Sequence, residues 1–166
     1  PSDKNSFEEV IEVAQAAKEV LDLAKIEGFC KTSGSSGLHI YLPLGGNHIY
    51  GEARDFTKLL CYYILEKLPK LTSMDRAKKK RKNKIYLDYL QNRRGQTLAA
   101  AYCARPKPGA PVSTPLEWKE VKRGLKINDF TIKNMPQRLE KKGDLFKGVL
   151  DKGIKMEKAM EALESS

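Results

Sequence analysis

Two short apolar alternations, residues 29–32 and 38–42, are separated only by Ser33-Gly34-Ser35-Ser36-Gly37, and a helical pattern lies on either side of this unit. Five small or polar residues leave no room for a helix between the two segments, so both read as strands joined by a tight loop. From Ser6 onward Phe7, Val10, Ile11, Ala14, Ala17, Leu21 and Ala24 recur at three- and four-residue steps, the period of an amphipathic helix. Ser6 followed by Glu9 has the form of a capping box, and Gly28 is expected to end this helix. After the Gly45-Gly46-Asn47 turn a second helix is expected over residues 52–68, with Phe56, Leu59, Leu60, Tyr63 and Ile64 on one face and Pro69 at its end. Helices alternating with strands make the chain α/β or α+β, with the strand pairing left open.

The second half is less regular. Residues 84–90 read as a strand and residues 97–104 as another, joined through Asn92-Arg93-Arg94-Gly95. Pro106, Pro108, Pro111 and Pro115 then mark an irregular segment, because proline removes a ladder donor and fixes φ. Residues 116–122 suit one or two helical turns. From Asp144 onward short helical pieces lead to a Met156, Met160, Leu163 stripe, which reads as a packed or partner helix. At 166 residues the chain suits one domain, and 40% hydrophobic with 31% charged residues argues against disorder. No apolar run reaches the roughly 18 residues of a membrane span, and the start Pro1-Ser2-Asp3-Lys4-Asn5 has no signal-peptide pattern. Cys30, Cys61 and Cys103 fit neither a disulfide framework nor a zinc site; they read as small buried hydrophobes in a reducing, cytoplasmic setting. Trp118 reads as a packing residue between Leu116 and Val121.

The formal net charge is +10. Much of it is concentrated in Arg76-Ala77-Lys78-Lys79-Lys80-Arg81-Lys82-Asn83-Lys84, with Arg93, Arg94, Arg105 and Lys107 close behind. A run of this kind is either a solvated basic loop or a surface for nucleic-acid or nucleotide phosphate. Period-two alternation puts His39 with Tyr41 on the strand face opposite Leu38, Ile40 and Leu42, just after a loop whose N–H groups and hydroxyls suit phosphate oxygens. Asp88 falls among apolar neighbours in Ile85-Tyr86-Leu87-Asp88-Tyr89-Leu90, where an ionised carboxylate needs a metal ion or a paired arginine. Its hard oxygens suit Mg²⁺ or Mn²⁺. Arg105, after the second of these strands, is either a triphosphate clamp or a surface arginine.

Taken together, Lys31-Thr32-Ser33-Gly34-Ser35-Ser36-Gly37-Leu38-His39-Ile40-Tyr41-Leu42-Pro43, then Arg81 through Ile85-Tyr86-Leu87-Asp88-Tyr89-Leu90-Gln91-Asn92 with Gly95-Gln96-Thr97, then Ala101-Tyr102-Cys103-Ala104-Arg105 and Gly109-Ala110-Pro111-Val112-Ser113-Thr114-Pro115-Leu116, resemble the polymerase domain of bacterial ATP-dependent DNA ligase D, of the archaeo-eukaryotic primase superfamily. The resemblance implies an α+β fold, an antiparallel-rich sheet flanked by helices. It implies a template-directed nucleotidyltransferase of non-homologous end joining that uses DNA ends, nucleoside triphosphates and a two-metal site of Mg²⁺ or Mn²⁺. By the same resemblance, Ser33, His39, Arg81 and Arg105 bind the nucleotide, and Asp88 is a catalytic metal ligand. A ligase domain in the same parent chain and an end-binding repair protein are the implied partners, with no membrane and a cytoplasmic, nucleoid-associated setting.

Two departures from the family stand in the motifs: Ser36 where a loop lysine is common, and Gln91 where some members have arginine. Pro1-Ser2-Asp3 resembles the residues that follow the family's Asp-hydrophobic-Asp-Pro motif, which supplies the other metal carboxylates. On that reading residues 1–150 are the C-terminal portion of the polymerase domain, residues 151–166 are a helical tail or linker, and the isolated chain is inactive. A non-catalytic nucleic-acid-binding module is the alternative, and Asp88 beside the basic stretch is what argues against it.

Overall fold

A computed structural model describes residues 5–166; Asp3, expected near the start of the first helix, lies outside the described residues. The first helix, α1, runs Phe7–Leu23 with the expected capping box: Ser6 Oγ accepts from the Glu9 N–H and the Glu9 carboxylate accepts from the Ser6 N–H. It ends earlier than Gly28. Lys25 takes a left-handed φ of 55° and the Ile26 N–H reaches back to the Leu21 carbonyl, closing the last turn without a glycine. Gly28 has a packing role instead, because a Cβ there would stand 2.5 Å from Leu21 Cδ1.

Strands β1 (Phe29–Thr32) and β2 (Leu38–Tyr41) pair antiparallel, with Lys31 opposite His39 and Cys30 opposite Ile40. On the other side of β1 lies β5 (Pro115–Leu116), giving the order β2-β1-β5. Pro115 is tolerated there because β5 is an edge strand, where a missing N–H costs no ladder bond. Helix α2 (Tyr50–Lys67) follows the hairpin, close to the expected bounds. A second, parallel pair joins β3 (Thr72–Ser73), which sequence reading missed, to β4 (Ile85–Tyr86). Between them the basic stretch forms one exposed turn of helix, α3 (Lys78–Arg81), closed by left-handed Lys82 and Asn83.

Of two strands expected here, one is cut short and the other does not form. The segment 84–90 is a strand only at β4, because Asp88 Oδ1 accepts the Leu90 N–H at 3.1 Å and turns the chain. Residues 97–104 pair only through the isolated bridge between Ala104 and Val112. Tyr102, at φ 63°, breaks the extended path, and its hydroxyl is held by Asp144 at 2.7 Å. The expected turns around residues 116–122 are a 3₁₀ helix at Trp118–Glu120. Helix α4 (Met135–Lys142), with Pro136 near its start, was not foreseen.

The main core sits between α1, α2, β4 and α5 (Met156–Glu164), and contains Val10, Val20, Phe56, Leu60, Ile64, Ile85, Met156 and Leu163. Leu38, Ile40 and Leu42 pack against it, as the period-two reading of β2 requires. A smaller cluster of Ile11, Ala14, Cys30, Leu116 and Val121 adjoins it on the same face of the hairpin, sharing Leu38 and Ile40, with Trp118 against both and its Nε1–H donating to the Gly28 carbonyl at 2.7 Å. Cys30 and Cys61 are buried as expected, while Cys103 is half-buried. The approach to α5 is set by a backbone crossing: a Cβ on Gly153 would lie 2.5 Å from the Leu44 carbonyl carbon. Gly153→Ala is therefore expected to destabilise the fold by about 1–3 kcal/mol. Urea unfolding monitored by circular dichroism checks this; an unchanged midpoint would mean that the crossing yields easily.

Candidate functional site

The loop between β1 and β2 is organised from within. Ser33 Oγ accepts the backbone N–H groups of Ser35, Ser36 and Gly37 at 3.1, 3.2 and 3.0 Å. The donors expected to face a phosphate thus converge on the Ser33 hydroxyl. Gly34 has φ 65°, and a Cβ there would meet Arg105 Cγ at 2.6 Å. Arg105 lies alongside the loop, and its Nη1–H donates to the Ser33 carbonyl at 2.7 Å. This bond uses one edge of the guanidinium and leaves the rest of its donor fork available. Arg105 is held in place by the backbone as well, since its own N–H donates to the Pro111 carbonyl at 2.8 Å.

Behind the loop lies Lys31, which is completely buried. Sequence reading did not single it out, because a lysine in a short strand reads as solvent-facing. Its Nζ is 3.1 Å from His39 Nδ1, 2.8 Å from the Ala99 carbonyl and 2.6 Å from Ser113 Oγ. Burial, together with the Arg105 guanidinium, lowers its pKa to about 8. Burial, Lys31 and Arg105 likewise lower His39 from 6.5 to about 4, against an opposing pull from Asp88. A base whose folded pKa is depressed favours the folded state above its unfolded pKa. That contribution is complete above pH 6.5 and is lost as pH falls through about 4. The His39 ring resonances are expected to titrate with a midpoint near pH 4; a midpoint at 6.5 would show the ring to be solvated and free of its cationic neighbours.

A cavity of about 380 Å³ opens beside His39, lined from α1, α2, β2 and β4. Its apolar wall includes Val20, Leu60 and Ile64, and its polar lining includes His39, Asp88, Gln91 and Asn92. Asp88 is exposed, contrary to the expectation of a carboxylate desolvated within a strand. Both its oxygens are engaged, Oδ1 by the Leu90 N–H and Oδ2 by Gln91 Nε2 at 3.3 Å. Among the described residues it forms no salt bridge, so the paired-arginine reading has no partner in this structure. Next to it, Tyr86 has its phenol pushed up to about 12 by burial and by the Asp88 carboxylate. The Arg81 guanidinium lies over the Tyr86 ring, 4.7 Å from its centroid, with Nη2–H donating to the Arg76 carbonyl.

The expected residues therefore form two linked groups. Ser33 and Arg105 are bonded at the loop, with His39 close enough to feel Arg105 electrostatically. Asp88 shares the cavity with His39, while Arg81 reaches this region only through Tyr86. Among the described residues, Asp88 is the only carboxylate lining the cavity, and no group of three or more His, Cys, Asp or Glu could hold an ion. The described residues do not by themselves make a two-metal centre. No described helix is long and apolar enough to cross a membrane.

A mixed fold with a β1–β2 hairpin presenting basic side chains beside a cavity, helices packed behind it, is the arrangement of a primase-polymerase core. The family model for the LigD primase-polymerase domain matches residues 1–146, and the chain belongs to this family. It is 35% identical over 144 residues to the bifunctional non-homologous end joining protein LigD of Bacillus subtilis, a match covering 86% of this chain and 24% of that protein. With the multifunctional non-homologous end joining protein LigD of Pseudomonas aeruginosa it shares 32% over 134 residues, 81% of this chain and 16% of that protein. The chain thus spans about a quarter or less of these relatives. Its structure superposes on the polymerase domain from Mycobacterium tuberculosis ligase D in complex with DNA with a TM-score of 0.83 at 26% identity, covering 93% of this chain and 53% of that one.

Proposed function

We propose that this chain is the nucleotide-binding portion of an end-joining polymerase domain, and that the corner formed by the Ser33 loop, His39 and Arg105 takes the triphosphate of an incoming nucleotide. The observation that carries this reading is the clustering of Lys31 and Arg105 around His39, which itself lines the cavity together with Asp88. Positive groups packed this closely depress one another's proton affinity, and an anion placed among them relieves that repulsion. Arg105 supplies a phosphate contact through the guanidinium donors that the Ser33 carbonyl leaves free, His39 a ring donor, and the Ser33 hydroxyl, by accepting the loop N–H groups, fixes the shape of the loop beside them. Arg81, stacked on Tyr86, adds charge at the cavity's other edge.

The exposed residues 76–80 bind the phosphates of a DNA end without reading its sequence. Mg²⁺ or Mn²⁺ belongs to the assembled polymerase domain, to which this chain contributes Asp88 and other segments contribute the remaining carboxylates. A ligase-type partner domain is in keeping with the ligase D name of the structural relative, and an end-binding repair protein follows from the family resemblance alone. Fluorescence anisotropy with single-stranded DNA tests the basic surface: affinity is expected to fall steeply as salt rises and to be nearly independent of sequence. Affinity insensitive to salt would remove the phosphate reading of residues 76–80.

A further inference from the structure

We propose that Lys31 is a positioning residue that fixes His39 in the tautomer carrying its proton on Nε2, so that the ring offers a nucleotide phosphate an N–H donor and not a bare nitrogen. The proposal rests on the nucleotide-binding reading of His39 and adds to it a residue and a proton position. Lys31 and His39 are directly opposed in the antiparallel ladder, so their side chains leave the same face of the hairpin. Lys31 is fully buried, and among the described residues no carboxylate forms a salt bridge with it. A buried ammonium without a counter-ion must place each of its hydrogens on an acceptor.

The surrounding bonds leave one solution. The Ala99 carbonyl, 2.8 Å from Nζ, can only accept. Ser113 Oγ, at 2.6 Å, donates its own hydrogen to the Thr32 carbonyl at 2.8 Å and therefore accepts from Lys31. The remaining ammonium hydrogen faces His39 Nδ1 at 3.1 Å, which must carry a lone pair. A proton on Nδ1 would set two donors against each other where no water reaches Lys31. The neutral ring then has its single hydrogen on Nε2, the nitrogen left for the cavity that His39 lines. The groups that act on this ring are Lys31 and Arg105, which oppose its protonation, and Asp88, which favours it. Burial and the two cations prevail, so the ring is neutral at pH 7 while Lys31, at about 8, remains mostly charged. The lysine thus keeps its own charge out of reach of solvent and directs the histidine's hydrogen, as outer groups orient the imidazoles of metal sites.

Long-range ¹⁵N–¹H correlation spectra of the 166-residue chain at pH 7 test this directly. The sequence has only two histidines, so His48→Gln assigns the rings. Wild-type His39 is expected to show a pyridine-like Nδ1 and a pyrrole-like Nε2. In Lys31→Met, which removes a buried charge without creating a large void, the ring is expected to sample both tautomers, and ATP affinity to fall about tenfold. A wild-type ring with its proton on Nδ1 overturns the proposal even if every variant fails to fold. A folded Lys31→Met chain with an unchanged tautomer overturns it as well. If His39→Ala binds ATP as well as the wild type while the tautomer is fixed as stated, the nucleotide reading of His39 fails. Lys31 then orders the hairpin without positioning a ligand contact.

Discussion

The 166-residue chain is expected to add no detectable nucleotide to a primer, in Mg²⁺ or Mn²⁺, with ribonucleotides or deoxyribonucleotides. Two divalent ions about 3.5 to 4 Å apart repel strongly and need several carboxylates to hold them. Among the described residues Asp88 is the only carboxylate lining the cavity, one negative charge against four positive ones. Residues that act as a catalytic unit are not additive, so one ligand retains far less than its share of activity. In a longer chain comprising the whole polymerase domain, Asp88→Asn is expected to lower primer extension by more than about a hundredfold. The melting temperature should hold, because Asp88 is exposed and an amide oxygen can still accept the Leu90 N–H. Full extension by that variant would remove Asp88 from the metal site. Extension by the short chain at the rate of the longer one would place the active centre elsewhere.

The second large effect is expected from Arg105→Ala combined with Arg81→Ala. Arg105 has two roles: it ties the Ser33 loop through the Ser33 carbonyl and it brings a guanidinium to the phosphates. Removing it costs a charge-assisted contact to the ligand and loosens the loop that shapes the site, and each loss is on the order of tenfold in affinity. Arg81 lies farther off over Tyr86, so its removal alone should cost less, roughly threefold, through long-range charge. The double variant should bind ATP about a hundredfold or more weakly, and the salt dependence of binding should flatten. Isothermal titration at low and moderate salt measures both; unchanged affinity in the double variant would dismiss the phosphate roles of these arginines.

The parts of the fold legible in the sequence are those where local signals agree. In α1 the Ser6–Glu9 box and the apolar period point the same way, and the β1–β2 hairpin is bounded by a loop too small for anything else. The end of α1 escaped because Lys25 adopts a conformation usually left to glycine. Residues 84–90 looked like a strand because five of them are apolar or aromatic, yet the Asp88 side chain takes a backbone donor and ends the ladder after Tyr86. The burial argument for Asp88 therefore falls away, and the metal role proposed for it rests on the family pattern and on its place in the cavity. Lys31 was hidden for a different reason. A strand lysine looks solvated until the register sets it opposite His39 and β5 covers it from the other side, with Pro115 as its partner. Reading the hairpin register across the five-residue loop is the one sequence signal that pairs it with the histidine.

The corner of the Ser33 loop, His39 and Arg105 is expected to bind a nucleoside triphosphate. Titration of the isotope-labelled chain with ATP, followed through backbone amide and histidine ring shifts, tests it most directly. Saturable changes are expected at the N–H groups of Ser35, Ser36 and Gly37, at the His39 ring and at the Arg105 guanidinium, with the exposed residues 76–80 moving little. Saturable changes confined to residues 76–80, with the Ser33 loop and His39 unmoved, would contradict it.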